Sequence, residues 1–278
     1  MNTGTLSRLS AFTKTPEGGN PAGVWVGDQL PSSEEMQRIA AEVGFSETAF
    51  IAPSVGRSRI IRYFSPEIEI PFCGHATIAS GVVLGESTGD GVYQLETKIG
   101  KIPVQVESTD GYKQASLTSI DTKFKLASDD LLDRVLSALD WCRDDIDVSI
   151  PPAVAHAGNW HLVLAVSTKE RLDNLSYEFE NLKAIMQAND LVTLQLIWRE
   201  SDACFHSRNP FPIGGVVEDP ATGSAAASLG GYLRDAGLIT VPKTITLKQG
   251  EVMGRPSKLT VHIPDQGGIV ISGTAVHL

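Results

Sequence analysis

Two short stretches of the sequence combine a glycine-containing turn with a run of small apolar residues. Residues 72–81 read Phe-Cys-Gly-His-Ala-Thr-Ile-Ala-Ser-Gly, and residues 219–227 read Asp-Pro-Ala-Thr-Gly-Ser-Ala-Ala-Ala. Each predicts a buried helix that begins at the turn. Because the first N–H groups of a helix have no intrahelical partner, such a start binds anions, and glycine lets the backbone approach a ligand. The alternative for either stretch is a capped helix with only a structural role.

The polar residues at these turns are the first candidates for chemistry. Asp219 and Thr222 are residue types that cap helices, and Pro220 suits the first helical position. His75 stands where the other helix begins, and an imidazole donates from one nitrogen and accepts at the other. Cys73 is a candidate reactive thiol, because a helix N-terminus favours the thiolate. A structural histidine and a buried cysteine are the alternatives.

A further candidate is Glu47, in the strand-like stretch 45–51. Strand periodicity places it on one face with three apolar residues, Phe45, Ala49 and Ile51. A carboxyl group on an apolar face suits general acid–base work near neutral pH, because burial disfavours its charged form. The alternative is an edge strand with Glu47 in solvent.

The repeated turn and helix predict two similar domains. Both turns follow strand-like stretches punctuated by Arg and Pro, at residues 62–66 and 208–212. A long-period repeat with two copies indicates a duplicated domain rather than a solenoid. A β-meander over 92–120, with a hairpin signal at Asp110-Gly111, and a helix capped by Ser128 lie between the copies. We therefore expect domains at 1–120 and 121–278, with a last strand that can pack on the first half.

Composition restricts the partners and the compartment. The 278 residues carry a net charge of −10, which argues against a nucleic-acid partner. We expect no membrane partner, since neither an apolar run of spanning length nor a signal pattern is evident. The three widely spaced cysteines favour a reducing, cytoplasmic location. His156, Asn159 and His161 precede a buried strand, but they are too few to predict a metal site.

Five motifs, in this order, resemble those of the phenazine-biosynthesis isomerase (PhzF-like) family, and together they extend over nearly the whole chain. Each is weak alone, but the combination is highly specific. They are Asn-Pro-Ala-Gly at 20–23, Phe-Ser-Glu-Thr-Ala-Phe at 45–50, Cys-Gly-His-Ala-Thr at 73–77, Glu-Asp-Pro-Ala-Thr-Gly-Ser-Ala at 218–225, and Gln-Gly at 249–250 with Gly-Arg-Pro-Ser at 254–257.

The resemblance implies the diaminopimelate epimerase fold, an α/β (α+β) class. Two pseudo-symmetric halves each wrap a curved, mostly antiparallel sheet round a central helix, with the active site between them. The founding activity of the family is isomerisation of trans-2,3-dihydro-3-hydroxyanthranilate by proton transfer, without a metal or an organic cofactor. The family also implies a homodimer.

The resemblance assigns roles to particular residues. The catalytic glutamate of the family matches Glu47, and its supporting histidine and aspartate match His75 and Asp219. The groups that hold the substrate match Gly74, Gly223 and Ser224. Asn20, which follows Gly18-Gly19 in a turn, is a further candidate for substrate contact.

One departure separates the chain from the epimerases of the same fold. Those enzymes use two thiols, one at each central helix, whereas only Cys73 is available here. We therefore expect a cofactor-free, metal-free isomerase that moves a proton on a small carboxylic acid. A thiol epimerase that uses Cys73 and a non-enzymatic small-molecule-binding protein are the alternatives.

Overall fold

The fold is described here from a computed structural model, which covers residues 4–278 and divides into two compact units. Unit 1 comprises the described residues up to Thr118 together with Ser272–Leu278, and unit 2 comprises Ser119–Ile271. The strands are β1 (Gly4–Ala11), β2 (Asn20–Gly27), β3 (Glu47–Pro53), β4 (Ser58–Phe64), β5 (Glu69–Ile70), β6 (Gly91–Thr97), β7 (Gly100–Thr109), β8 (Tyr112–Thr118), β9 (Lys123–Leu126), β10 (Ala153–His156), β11 (Trp160–Ala165), β12 (Leu191–Ser201), β13 (Cys204–Pro210), β14 (Glu218–Asp219), β15 (Lys243–Gln249), β16 (Ser257–Ile263) and β17 (Val270–His277). The α-helices are α1 (Ser33–Val43), α2 (Gly74–Thr88), α3 (Asp129–Leu139), α4 (Lys169–Asp173), α5 (Phe179–Ala188) and α6 (Gly223–Asp235).

Unit 1 is a closed ring of eight strands around α2. The pairs run β1–β2–β3–β4–β6–β7–β8–β17 and return to β1. The pairs β2–β3 and β4–β6 are parallel, whereas β1–β2, β3–β4, β6–β7 and β7–β8 are antiparallel. Helix α2 is apolar on every side and buries residues 75–82, as an enclosed helix requires. Gly81 lets it lie close to β8, since a Cβ there would stand 2.7 Å from the Cβ of Ala115.

Unit 2 wraps its own sheet around α6. Seven strands pair in the order β9–β10–β11–β12–β13–β15–β16, and α6 packs on β9–β12 and β16. A second apolar layer forms where α3 and α5 cover the other face of the sheet. Leu136 of α3 and Met186 of α5 are buried there with Leu162 and Leu164 of β11.

The two units repeat one topology. The five pairs from β1 to β7 alternate antiparallel and parallel, and the five pairs from β10 to β16 alternate in the same order. Each unit encloses one small-residue helix. The predicted α/β class, with two similar halves of mostly antiparallel, curved sheet around central helices, is confirmed. The assignment of 1–120 and 121–278 as separate domains stays a prediction.

Two local predictions, the cap of α3 and the turn between β7 and β8, are confirmed. The Ser128 hydroxyl caps α3 by accepting from the N–H of Leu131 at 3.2 Å. Asp110 and Gly111 both adopt positive φ values, 51° and 80°, in the tight turn that joins β7 to β8. Among the helices of residues 4–278, none combines the length and the apolar composition needed to cross a membrane.

Two local predictions are wrong. Pro220 does not open a helix: α6 begins at Gly223 with Thr222 as N-cap, because the chain is still in β14 at Asp219. Strand β3 begins at Glu47 rather than at Phe45. It is also buried from Thr48 to Ala52 on both faces, because α2 packs on it within the ring and α1 packs on it as well. The prediction that β3 has one apolar face, which rested on strand periodicity, therefore does not hold.

Candidate active site

Unit 1 holds a first group of candidate site residues, in which a carboxylate contacts an imidazole. Glu47 is the first residue of β3, and His75 is the second residue of α2. The Glu47 Oε2 lies 3.3 Å from the His75 Nε2, and the Glu47 side chain is 18% exposed. The pair is therefore largely desolvated, but the carboxylate remains accessible to a small ligand.

The other ring nitrogen of His75 is held from inside the unit. Asn20, the first residue of β2, places its amide Nδ2 3.3 Å from the His75 Nδ1. The Cys73 Sγ lies 3.4 Å from the same nitrogen. Because an amide NH2 group only donates, Nδ1 accepts and the ring proton resides on Nε2, facing Glu47. This arrangement lets His75 donate a hydrogen bond to the Glu47 carboxylate.

The start of α2 offers backbone donors next to this pair. Its first turn reads Gly-His-Ala and carries no carboxylate, whereas α1 and α3 place acidic residues in theirs. Thr77 fixes the turn, because its N–H and its hydroxyl both donate to the Cys73 carbonyl, at 3.0 and 2.6 Å. Apart from the two neighbouring residues and the backbone of α2 itself, no atom of residues 4–278 lies within 4 Å of the Cβ position of Gly74. The helix start is therefore open to an anion.

Unit 2 holds a second group of candidate site residues, in the turn before α6. The Thr222 hydroxyl donates to the Asp219 Oδ2 at 2.5 Å. Gln249, fully buried at the end of β15, accepts from the Thr222 N–H at 3.1 Å and donates to the Asp219 carbonyl at 2.7 Å. Gly223 and Ser224 are the first two residues of α6. The side chain of Gln249 thus fixes the turn that leads to the helix start.

Ser224 is held by a buried histidine. The Ser224 Oγ lies 3.1 Å from the His161 Nε2, and the His161 Nδ1 lies 2.8 Å from the Thr193 Oγ1. Complete burial lowers the pKa of His161 to about 3, so the ring is neutral at neutral pH. The hydrogen-bond partner of Ser224 is therefore an uncharged imidazole.

Comparison with known proteins identifies the family. The family model described as phenazine biosynthesis-like protein matches residues 9–278. The chain belongs to this family. Its sequence-based recognition as a phenazine-biosynthesis-like protein is confirmed.

Two curated relatives specify the kind of enzyme. The chain is 32% identical over 290 residues to a Bacillus subtilis protein named uncharacterized isomerase YfhB, covering 100% of this chain and 97% of that protein. It is also 32% identical over 255 residues to trans-2,3-dihydro-3-hydroxyanthranilate isomerase of Pseudomonas fluorescens, covering 90% of this chain and 86% of that enzyme. The chain is therefore an isomerase, and the alternative of a non-enzymatic binding protein is set aside.

Solved structures agree with the fold. A Bacillus anthracis phenazine biosynthesis protein of the PhzF family superposes with a TM-score of 0.87 at 26% identity, covering 99% of this chain and 97% of the other. A probable proline racemase from Agrobacterium radiobacter superposes with a TM-score of 0.66 at 12% identity, covering 99% and 91%. The latter likeness extends to the fold alone, and it relates this isomerase to the racemase and epimerase architecture.

Among residues 4–278, two groups of side chains have the composition of metal sites. The ligand atoms of Glu47, Cys73 and His75 lie within 4.8 Å of one another, and so do those of Glu200, Cys204 and His206. In the second group, the negative charge of Glu200 is already paired with a cation, since the Lys248 Nζ lies 2.8 Å from the Glu200 Oε2. The expectation of a metal-free enzyme stays a prediction.

A cavity of about 240 Å³ in unit 2 is a poorer candidate for the active site. Its two charged residues are Arg208 and Glu218, which pair with each other through the Arg208 Nε and Nη2. The Arg208 Nη1 donates to the carbonyls of Leu172 and Asp173. The guanidinium is thus committed to structural contacts and leaves little capacity for a ligand.

The structure brings the predicted site residues together within each unit. Glu47, His75, Cys73 and Asn20 form one cluster in unit 1. Asp219, Gly223 and Ser224 follow one another along one turn in unit 2. Sequence reasoning missed the roles of two residues, His161 and Gln249. The family motif Gln249-Gly250 was the only available signal for Gln249. The signal for His161 was its position next to the apolar run 162–166, although the structure places it inside β11 rather than before the strand.

Proposed function

We propose that this isomerase moves a proton from one carbon to another on a small carboxylic acid, with Glu47 as the acid–base group. The observation that carries the proposal is the 3.3 Å contact of Glu47 with His75 at the open start of α2. A carboxylate that is mostly desolvated and oriented by one imidazole can both accept and return a proton.

The proposed reaction needs no oxidant or reductant. The Glu47 carboxylate takes a proton from a substrate carbon, and the electron pair of the broken C–H bond stays in the unsaturated system of the substrate. The resulting carboxylic acid then returns a proton to a different carbon, so the product is an isomer. The His75 Nε2–H holds the Glu47 carboxylate in one orientation through both steps.

On the basis of the family resemblance, we assign the binding of the substrate carboxylate to the donors of the family motifs. The N–H groups at Gly74 and at Gly223-Ser224, with the Ser224 hydroxyl, are donors that suit a carboxylate and a developing negative charge. Asp219 is proposed to support proton transfer, on the basis of the family resemblance. Asn20 is 2% exposed, and its contact with His75 supports a role in orienting that ring besides its proposed contact with substrate.

The first compound to test is trans-2,3-dihydro-3-hydroxyanthranilate, the substrate named for the Pseudomonas fluorescens relative. Purified protein is incubated with it in D2O, and product is followed by NMR and mass spectrometry. We expect an isomer that carries solvent deuterium at the newly protonated carbon. A panel of small unsaturated and amino-acid-derived carboxylic acids is screened in the same way. Absence of deuterium uptake and of isomer with every acid would contradict the proposal.

A second candidate is a thiol-dependent reaction, favoured by the 3.4 Å contact of the Cys73 Sγ with His75. In unit 2 the residue at the matching N-cap is Thr222, so a second thiol is not supplied there. Cys73→Ser distinguishes the candidates, because a thiol epimerase loses activity with it. A Glu47-dependent isomerase keeps most of its turnover, and Cys142→Ser at an exposed position is the matched control.

A further inference from the structure

A chain of four buried polar side chains leads through unit 2 to Ser224. His161, Thr193, Gln195 and Asn209 are each at most 1% exposed. The Asn209 Nδ2 donates to the Thr193 Oγ1 at 3.1 Å and to the Gln195 Oε1 at 2.7 Å. Buried polar groups are costly when they are left without partners, and here the Gln195 Nε2 and the Asn209 Oδ1 have none within residues 4–278.

With the Asn209 amide in this orientation, the order of donors along the chain points to one tautomer of His161. Asn209 uses one of its two amide protons on the Thr193 oxygen, which leaves the Thr193 hydroxyl proton for the His161 Nδ1 at 2.8 Å. A neutral imidazole that accepts at Nδ1 carries its proton on Nε2. That nitrogen is the one that lies 3.1 Å from the Ser224 Oγ.

The same arrangement occurs in unit 1. There the first residue of β2, Asn20, donates to the second residue of α2, His75. In unit 2 the second residue of β11, His161, contacts the second residue of α6, Ser224. In both units, a buried polar residue contacts the side chain at the second position of the central helix. This residue lies at the start of β2 in unit 1 and at the start of its counterpart β11 in unit 2.

We infer that His161 is a positioning residue, whose Nε2–H donates to the Ser224 Oγ and so leaves the Ser224 hydroxyl proton to donate to an anionic oxygen of the substrate. This inference rests on the proposed function, in which Ser224 binds the substrate carboxylate. In this inference the four buried polar side chains orient the Ser224 hydroxyl in addition to packing inside unit 2. The opposite polarity, with Ser224 donating to His161, would leave only lone pairs on Ser224 to face an anion, and would oppose its binding.

The tautomer is tested directly in the wild-type protein, without a ligand. Protein with ¹⁵N-labelled histidine is studied by long-range ¹H–¹⁵N correlation, and the spectrum of His161→Gln identifies the His161 signals among those of the six histidines. We expect a neutral ring protonated at Nε2 from pH 8 to pH 5. A proton on Nδ1, or an imidazolium at neutral pH, would overturn the inference.

Steady-state kinetics test whether the Ser224 hydroxyl, oriented by His161, binds the substrate. The substrate is trans-2,3-dihydro-3-hydroxyanthranilate or the first acid that exchanges deuterium. Loss of one hydrogen bond to a charged group predicts that Ser224→Ala and His161→Leu each raise KM about tenfold or more, with a smaller effect on kcat. The double variant should be no worse than Ser224→Ala alone. Additive effects would show that His161 does not act through Ser224.

Two further variants distinguish a failure of this inference from a loss of folding and from a failure of the proposed function. His161→Gln keeps an amide N–H near the position of Nε2 and should bring KM back toward the wild-type value, whereas a merely structural role predicts no such rescue. Near-normal turnover of Glu47→Gln would refute the proposed function but leave the tautomer result unchanged. An Nδ1–H tautomer together with an inactive Glu47→Gln would refute only the inference.

Discussion

At the scale of single residues, the partner of Glu47 distinguishes it from other partly buried carboxylates. Glu69 receives hydrogen bonds from Arg62 Nε and Nη2, which lower its pKa together with the bond from Lys98. A guanidinium keeps its charge at all relevant pH values, so Glu69 is held as an anion. Glu47 faces an imidazole instead. An imidazole, unlike a guanidinium, carries no permanent charge, and here it contacts the Glu47 Oε2 through its Nε2 at 3.3 Å.

Replacement of Glu47 by Gln should remove the reaction but not the ligand site. The amide keeps the size and shape of the side chain and cannot take a proton from carbon. We expect turnover to fall about 10²-fold or more, the scale of general acid–base catalysis, while KM changes much less. Steady-state kinetics and deuterium exchange measure both quantities.

The matched control is Glu67→Gln, at an exposed glutamate of the same unit. It should leave kcat and KM unchanged, since the Glu67 side chain is exposed to solvent. Turnover of Glu47→Gln close to that of this control would remove Glu47 from the mechanism. Attention would then move to Cys73.

At the scale of elements, the turn before α6 depends on a side chain from another strand. Gln249 contributes two donated bonds, to the Asp219 carbonyl and to the Thr222 Oγ1, and one accepted bond from the Thr222 N–H. Gly250 follows it with φ of 74°, and a Cβ there would stand 2.8 Å from the Pro220 carbonyl oxygen. Strand β15 and the turn therefore approach each other too closely for any residue other than glycine at this position.

Replacement of Gln249 by Glu should loosen this turn. The carboxylate has no N–H to donate and brings negative charge against a carbonyl oxygen. We expect the free energy of unfolding to fall by about 1–3 kcal/mol, the cost of leaving buried polar groups without partners. Denaturant unfolding measures the loss. Gln187→Glu, on the exposed face of α5, is the control, and equal stability of the two variants would contradict this role.

The burial of His161 between β11 and α6 predicts a stability loss in mild acid. Its pKa is about 3 in the folded protein and about 6.5 in the unfolded chain. Above pH 6.5 both states hold the neutral ring, so His161 contributes no pH dependence there. Below it the unfolded chain binds the extra proton, and stability falls by up to about 1.4 kcal/mol per pH unit as the pH decreases toward 3.

The test compares denaturant unfolding at pH 7, 6 and 5 for the wild type and for His161→Gln. The variant should lose less stability than the wild type over this range. His156→Asn is the control, because burial and Lys123 also lower the pKa of His156, but its ring is only partly buried. Parallel curves for wild type and His161→Gln would contradict the neutral, buried state of His161.

At the scale of the whole molecule, we propose a homodimer and a cytoplasmic location. The dimer rests on the family resemblance, and the location rests on the composition of the sequence. Apolar side chains exposed on the described surface include Ile68 and Ile99 in unit 1 and Val216 and Val217 in unit 2. Exposed apolar groups of this kind are common at surfaces where proteins associate.

Sedimentation equilibrium tests the dimer. We expect a mass of twice 29.7 kDa at micromolar concentration, with dissociation on dilution only if the association is weak. Measurement in moderate salt is advisable, because a net charge of −10 on each chain opposes self-association at low ionic strength. A single species of 29.7 kDa at every concentration would contradict the dimer.

The sequence by itself determined the local features of this protein. Glycine turns, small-residue helices, the Ser128 cap and the Asp110-Gly111 turn depend on neighbours within a few positions, so residue type and spacing predict them. The repeated turn and helix, with the order of the five motifs, also determined the fold class and the family. Glu47 and His75 were identified in the same way as candidates, from residue type and local context.

Only the tertiary structure decided how these residues are partnered. Asn20 and His75 are 55 positions apart, His161 and Ser224 are 63 apart, and Gln249 and Thr222 are 27 apart. Such contacts depend on strand register and on the packing of a helix inside its sheet, and no local pattern encodes either. The same cause explains the failed inference for β3, since packing on both of its faces removed the alternation that period two assumes.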